Sequence, residues 1–289
     1  MSEPKAAPTV LQIVLGRRLA MLRDAASLSA QDAAKQLRIA VSTITRMERA
    51  ETPLKYAYVK TLLEIYGVGQ AEISEFLGLI DKASIPGWWQ SFRDALPGWF
   101  GVHVSLETSA THIRTYESQV IPGLLQTEDY ARAVLSVGLP RPSNDVVERR
   151  VSLRTKRQDL LSRVEPRPPQ LWVVMDETCL RKRVGDRRVM ADQIDHLLQI
   201  AELQNVTMQV CPFEAGLHPG SFGPFTIFRF DIPEMADVVC TDSLSRAHYS
   251  EDGEEVALYR QAFDQMSTYA LPIGRTKQFL ADVRKELSP

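Results

Sequence analysis

Residues 29–50 read Ser29-Ala30-Gln31-Asp32-Ala33-Ala34-Lys35-Gln36-Leu37-Arg38-Ile39-Ala40-Val41-Ser42-Thr43-Ile44-Thr45-Arg46-Met47-Glu48-Arg49-Ala50. Ser29 and Asp32, three residues apart, form a capping-box pair, each able to satisfy the other's orphan backbone N–H, so a helix opens at Ala30. It runs to about Leu37, and after three or four residues a second helix spans about Val41 to Arg49. Ala33 and Ala34 are small enough for close approach, Leu37 and Ile39 bracket the turn, and Ile44 with Met47 gives the second helix its buried face. Two short helices joined this way make a helix-turn-helix unit. The opposite face carries Ser42, Thr43, Thr45, Arg46 and Arg49, side chains that can reach base edges and phosphates.

On the N-terminal side, Leu15, Leu19 and Leu22 recur at i, i+4 and i+7, one face of a preceding helix. On the C-terminal side Pro53 breaks the chain, and helices over Tyr56 to Tyr66 and Gln70 to Asp81 complete an all-α domain of five helices, residues 1–82. The formal charge of the 289-residue chain is −2, yet Ile13 to Lys60 holds nine Lys and Arg against four Asp and Glu. A DNA footprint is local, so the whole-chain value neither supports nor opposes one.

The blocks Leu15-Gly16-Arg17-Arg18-Leu19, Leu22-Arg23 and Ser42 to Arg49 resemble the Xre family of phage-repressor-type regulators, over about Leu15 to Tyr66. The resemblance implies binding to double-stranded DNA, with Arg46, Val41 and Ser42 at the base-facing positions. Thr43, Thr45, Arg49 and Lys55 are placed for phosphates, and Arg23 with Glu48 matches a structural pair fixing the helix angle. Four positions depart from the family pattern. Arg38 stands where the turn usually has glycine, Ala40 where the N-cap is serine, Ala30 where glutamine is frequent, and Ala50 where glycine ends the helix. Together they imply modest affinity or help from elsewhere. A bundle used only for protein contacts is the competing reading.

Residues 83–289 read as a mixed α+β (or α/β) regulatory domain. Ile85 to Phe100, with Pro86, Gly87, Pro97, Gly98, Trp88, Trp89 and Trp99, reads as a structured junction packed on the second domain, because tryptophans bury large areas. Val104 to Glu117 fits strand or helix. Thr127 caps a helix, Val146 to Val164 is a long arginine-rich helix, and Ala191 to Leu203, Glu254 to Ala270 and Thr276 to Leu287 are further helices. Leu171 to Met175, Val206 to Cys211, Phe225 to Phe230 and Val238 to Thr241 read as strands, with Pro233 in a turn. Leu106 to Ala110, Ile113 to Glu117, Val120 to Thr127 and His218 to Phe225 resemble the domain that follows the helix-turn-helix in actinobacterial WhiJ-like and antitoxin-like regulators. That resemblance implies a partner- or signal-binding role, no enzymatic activity, no cofactor, and a small acidic protein encoded nearby as partner.

Arg150, Arg154 and Arg157 on the basic helix are the candidates for docking such a partner, against the plainer reading of a solvated charged face. A small-molecule effector site is expected near Trp172, Phe213, Phe222 and Phe225, although aromatics at that spacing are more often core. His218 near Cys211, with Asp176, Glu177, Asp237 and Asp242 at strand ends, gives neither a metal signature nor a triad. Cys179, Cys211 and Cys240 are too scattered for a disulfide framework and read as buried in a reducing compartment. With no apolar leader in Met1 to Thr9 and no long apolar run, the expectation is a cytoplasmic, nucleoid-associated regulator that does not touch the membrane and works as a homodimer. The alternative is an antitoxin-like binding protein whose DNA binding is mainly autoregulatory.

Overall fold

The computed structural model describes residues 8–85, 87–92, 94–96, 100–138, 141–232, 235–243 and 246–287. Pro86, Pro97, Gly98, Trp99 and Pro233, named above, lie outside the described residues. The chain divides into two compact units: Met1–Arg93 with Gly101–Leu106 and Ile232–Met235, and Asp94–Phe100 with Glu107–Asp231 and Ala236–Pro289. The tryptophan-rich junction is therefore split, Trp88 and Trp89 falling in the first unit and Phe100 in the second.

In the first unit, α1 (Val10–Ala25), α2 (Ala30–Leu37), α3 (Val41–Glu48), α4 (Tyr56–Ile65) and α5 (Gln70–Ala83) follow one another with short turns. Two capping boxes, the expected one at Ser29 and a further one at Thr9, are local. Thr9 and Gln12 box the start of α1, and Ser29 and Asp32 box that of α2. Leu15 and Leu19 of α1, Ala33 and Ala34 of α2, and Ile44 and Met47 of α3 meet Val59, Leu62, Leu63 and Phe76 in one core. Ala33 and Ile44 are fully buried. A larger residue at position 33 would separate α2 from α3.

In the second unit a six-stranded mixed sheet is ordered β3-β2-β1-β4-β5-β6. Its strands are β1 (His112–Glu117), β2 (Gln170–Asp176), β3 (Val206–Cys211), β4 (Phe225–Arg229), β5 (Val238–Asp242) and β6 (Ala247–Ser250). The first three run parallel, and β4, β5 and β6 join by antiparallel ladders. The segment that fitted helix or strand is both: α6 (Phe100–Ser109) precedes β1. Between strands lie α7 (Glu128–Leu135), α8 (Asn144–Gln158), α9 (Thr178–Arg181) and α10 (Arg187–Ile200), and α11 (Gly253–Tyr269) and α12 (Ile273–Glu286) close the chain. Along β1, Tyr116 turns to one face and joins Val174, Ile227, Val239, Phe263 and Met266 in a core under α11. Thr115 turns to the other, where its hydroxyl lies 2.9 Å from that of Thr226. By the period of two, Glu117 shares the face of Thr115. Thr226 pairs with Cys240, so Cys240 and Asp242 lie on it too. The three cysteines are buried and unbridged.

Candidate functional site

The helix-turn-helix is held at two levels. Gly16 of α1 sits so close to α3 that a Cβ there would lie 2.6 Å from the Glu48 carbonyl oxygen and 2.9 Å from that of Met47. Two turns further along α1, the Arg23 guanidinium donates from Nε to Glu48 Oε1 at 2.7 Å and from Nη2 to Oε2 at 3.1 Å, and from Nη1 to the Leu28 carbonyl at 2.8 Å. The glycine sets the distance between the helices, and the two-pronged ion pair sets their angle.

That pair also removes the one acid of α3 from its outer surface. What α3 presents outward is Val41 and Ser42 at its start, then Arg46 and Arg49. Val41, Ser42 and Arg49 are exposed. The Arg46 side chain is 42% exposed, with Glu51 no nearer than 3.8 Å. Lys55 is exposed beside the Tyr58 ring. Thr43 is half-buried, and the Thr45 hydroxyl donates back to the Ser42 carbonyl at 3.2 Å, so it must rotate before it can meet a phosphate.

The departures from the family pattern have visible consequences. Arg38 adopts φ 53° and ψ 44°, and Ala50 φ 54°, both left-handed. A side chain there costs roughly 1–2 kcal/mol per residue. Ala40 makes no side-chain cap on α3, which forgoes about 1 kcal/mol.

In the second unit Arg150, Arg154 and Arg157, the candidates for docking a partner, all have acceptors within the unit. Arg157 is buried, and Arg150 and Arg154 are half-buried. Arg157 is 6% exposed and grips Glu107, itself as buried, through Nε–Oε1 at 2.9 Å and Nη2–Oε2 at 2.6 Å. Its guanidinium also lies over the Phe100 ring. Arg154 donates to Gln126 Oε1 at 2.6 Å, and Arg150 donates through Nε to the Ala95 carbonyl at 2.7 Å. The helix is basic because its inner stripe, at i, i+4 and i+7, serves internal acceptors. Sequence reasoning could not find Glu107 or Gln126, which lie 50 and 28 residues from their arginines.

The two sequence runs singled out in this unit are packing devices. In Val120–Thr127 the Ile121 N–H donates to the Tyr130 hydroxyl and its carbonyl accepts from Gln126. Gln193 accepts from the Thr127 N–H and donates to the Leu125 carbonyl, so these backbone groups find partners within the protein. In His218–Phe225, the His218 Nδ1 accepts from the Gly220 N–H, and a Cβ on Gly220 would strike Tyr116 and Met266. His218 stands edge-on to Tyr116 with Nε2 3.8 Å from Asp176 Oδ2. Burial and Asp176 push the Cys211 thiol up to about 11, which keeps it protonated at neutral pH. The aromatics expected around an effector do not gather. Phe225 is core and Trp172 packs against that core, whereas Phe213 and Phe222 are exposed. A cavity of about 160 Å³ lies instead against the basic helix, among Leu96, Phe100, Leu135 and Leu153 and the three arginines.

No helix among the described residues is long and apolar enough to cross a membrane. Residues 14–76 match the family described as a helix-turn-helix domain, and residues 100–282 match the family described as a domain of unknown function, DUF5753. No curated protein and no solved structure matches the chain. The first match makes the N-terminal unit a helix-turn-helix domain of DNA-binding regulators. The second covers more than half of the residues, and the chain therefore belongs to the DUF5753 family.

Proposed function

We propose that this protein is a sequence-specific transcriptional regulator of the phage-repressor type, a non-enzymatic dimer that lays α3 in the major groove of a pseudo-palindromic operator. One observation carries the reading: Val41, Ser42, Arg46 and Arg49 stand outward on a helix whose own acid, Glu48, is bound to Arg23. Arg46 reads a base edge, where a bidentate contact to guanine contributes about 1–3 kcal/mol of discrimination. Arg49 and Lys55 contact phosphates, which position the helix without reading sequence. The second unit carries the control, through a small-molecule ligand or a partner protein.

Selection of bound sites from a random duplex pool, repeated for Arg46→Ala and Lys55→Ala, tests it. Arg46→Ala relaxes preference at one position per half-site. Lys55→Ala weakens all sequences alike and lowers the salt dependence by about one phosphate contact. An enriched motif that is identical in wild type and Arg46→Ala removes Arg46 from base reading, and absence of any motif removes sequence-specific binding.

A further inference from the structure

The cavity of the second unit brings apolar and basic residues together. Leu96, Phe100, Leu135 and Leu153 line it together with Arg150, Arg154 and Arg157, one stripe of α8, and most of its exposed lining is apolar. The three guanidiniums are unequally matched. Arg157 faces a carboxylate, that of Glu107, in a two-pronged bond. The hydrogen bonds of Arg154 and Arg150 go instead to neutral oxygens, the amide of Gln126 and the carbonyl of Ala95. Each guanidinium has five N–H groups in a planar fork, so those bonds leave donors over on both. Burial, with Arg157 close by, holds Arg154 down to about 10, the sign of a cation short of a counter-charge. Glu117 and Glu107 oppose that shift, although burial and the Asp242 carboxylate push Glu117 itself up to about 8.

Size narrows the class of ligand. The cavity is about 160 Å³, and an apolar cavity of about 150 Å³ holds benzene. A bare inorganic anion would satisfy the arginines and leave the leucine and phenylalanine walls uncovered. A neutral hydrocarbon would do the reverse. We propose that this cavity binds a small organic acid, its apolar body about the size of one ring between Phe100, Leu135 and Leu153 and its carboxylate on Arg150 and Arg154. The site supplies a ligand class for the control assigned above to the second unit. It rests on that reading only for its biological use, because binding to it does not require DNA.

Titration calorimetry on the full-length protein without DNA, with benzoate and phenylacetate as probes, tests the assignment. Benzamide serves as the uncharged match and inorganic phosphate as the bare anion. At least one acid binds with one-to-one stoichiometry, tenfold or more tighter than benzamide, and phosphate does not compete at equal concentration. Arg154→Gln weakens the acid at least tenfold while leaving benzamide unchanged. Leu135→Trp, which fills the apolar side without touching a charge, abolishes both. Retained melting temperature in each variant separates loss of the site from loss of the fold, and if Arg154→Gln unfolds, Arg150→Gln carries the same expectation. No binding of either acid at millimolar concentration overturns the proposal. So does equal affinity for acid and amide, or an acid whose affinity ignores the arginine and Leu135→Trp changes. Failure of the operator selection leaves these outcomes untouched, so the two readings fall separately.

Discussion

Arg23 on α1 and Glu48 on α3 close a two-pronged ion pair across 25 residues of sequence, with the arginine 13% and the glutamate 9% exposed. Removing one partner strands the other charge in a largely buried place, which costs roughly 3–5 kcal/mol for a fully buried pair. Residual exposure puts this pair at the lower end. Glu48→Ala is expected to destabilise the protein by about 3 kcal/mol in urea unfolding, and Arg23→Lys by a substantial part of that, because an ammonium cannot reproduce the fork. A loss below about 0.5 kcal/mol for both would assign the helix angle to packing alone.

Gly16 fixes the approach of the same two helices. A methyl group there meets backbone oxygen, which cannot rotate away. Gly16→Ala gains helix propensity in α1, worth at most about 1 kcal/mol. Against this, overpacking costs typically 1–3 kcal/mol and more where backbone must shift. The expected net effect is a destabilisation of about 1–2 kcal/mol and a weakened footprint. Thermal unfolding and operator titration of the variant read both, and a more stable variant would mean that α1 and α3 separate freely.

The ends of α3 invite improvement. Ala40 stands at an N-cap with suitable extended geometry, φ −70° and ψ 142°, but no acceptor, and Ala50 occupies a left-handed position. Ala40→Ser is expected to add about 1 kcal/mol, and Ala50→Gly about 1 kcal/mol. The two sites sit at opposite ends of the helix, so the effects add to within a few tenths of a kcal/mol. The double variant's denaturation midpoint checks it.

Glu117 gives a pH dependence of defined sign. Burial, helped by Asp242 and opposed by Arg154, raises it from 4.5 to about 8. Between those values the folded protein holds a proton that the unfolded chain has released, so stability from this group is full below about 4.5 and is lost as pH rises through about 8. Glu117→Gln, neutral at every pH, removes the slope. The wild type should fall relative to the variant by an amount on the order of a few kcal/mol between pH 5 and pH 9. Urea unfolding of the two proteins at both ends of the range measures it, and parallel curves would place the Glu117 carboxyl in water.

Much of this was legible before any coordinates. The helices of the first unit follow from a 3.6-residue pattern and from caps made by neighbours three positions apart, so α2, α3 and the exposure of Arg46 and Arg49 were within reach of the chain's own text. The strands of Val206–Cys211 and Val238–Asp242 declared themselves as short apolar runs. Val104–Glu117 did not, because a helix and a strand follow one another there without a breaker of proline or glycine between them.

The basic helix marks the boundary between the two kinds of knowledge. Composition and spacing told that Arg150, Arg154 and Arg157 lie on one stripe of α8, since a helix's period is a local property. Which way that stripe points depends on acceptors far away in the chain: Glu107 on α6, Gln126 in the loop before α7, and Ala95 ahead of both. Local periodicity is written in covalent order and reads directly. The partner of a charge is chosen by how distant segments pack, and burial reverses its meaning from a surface that attracts to an interior that must be satisfied.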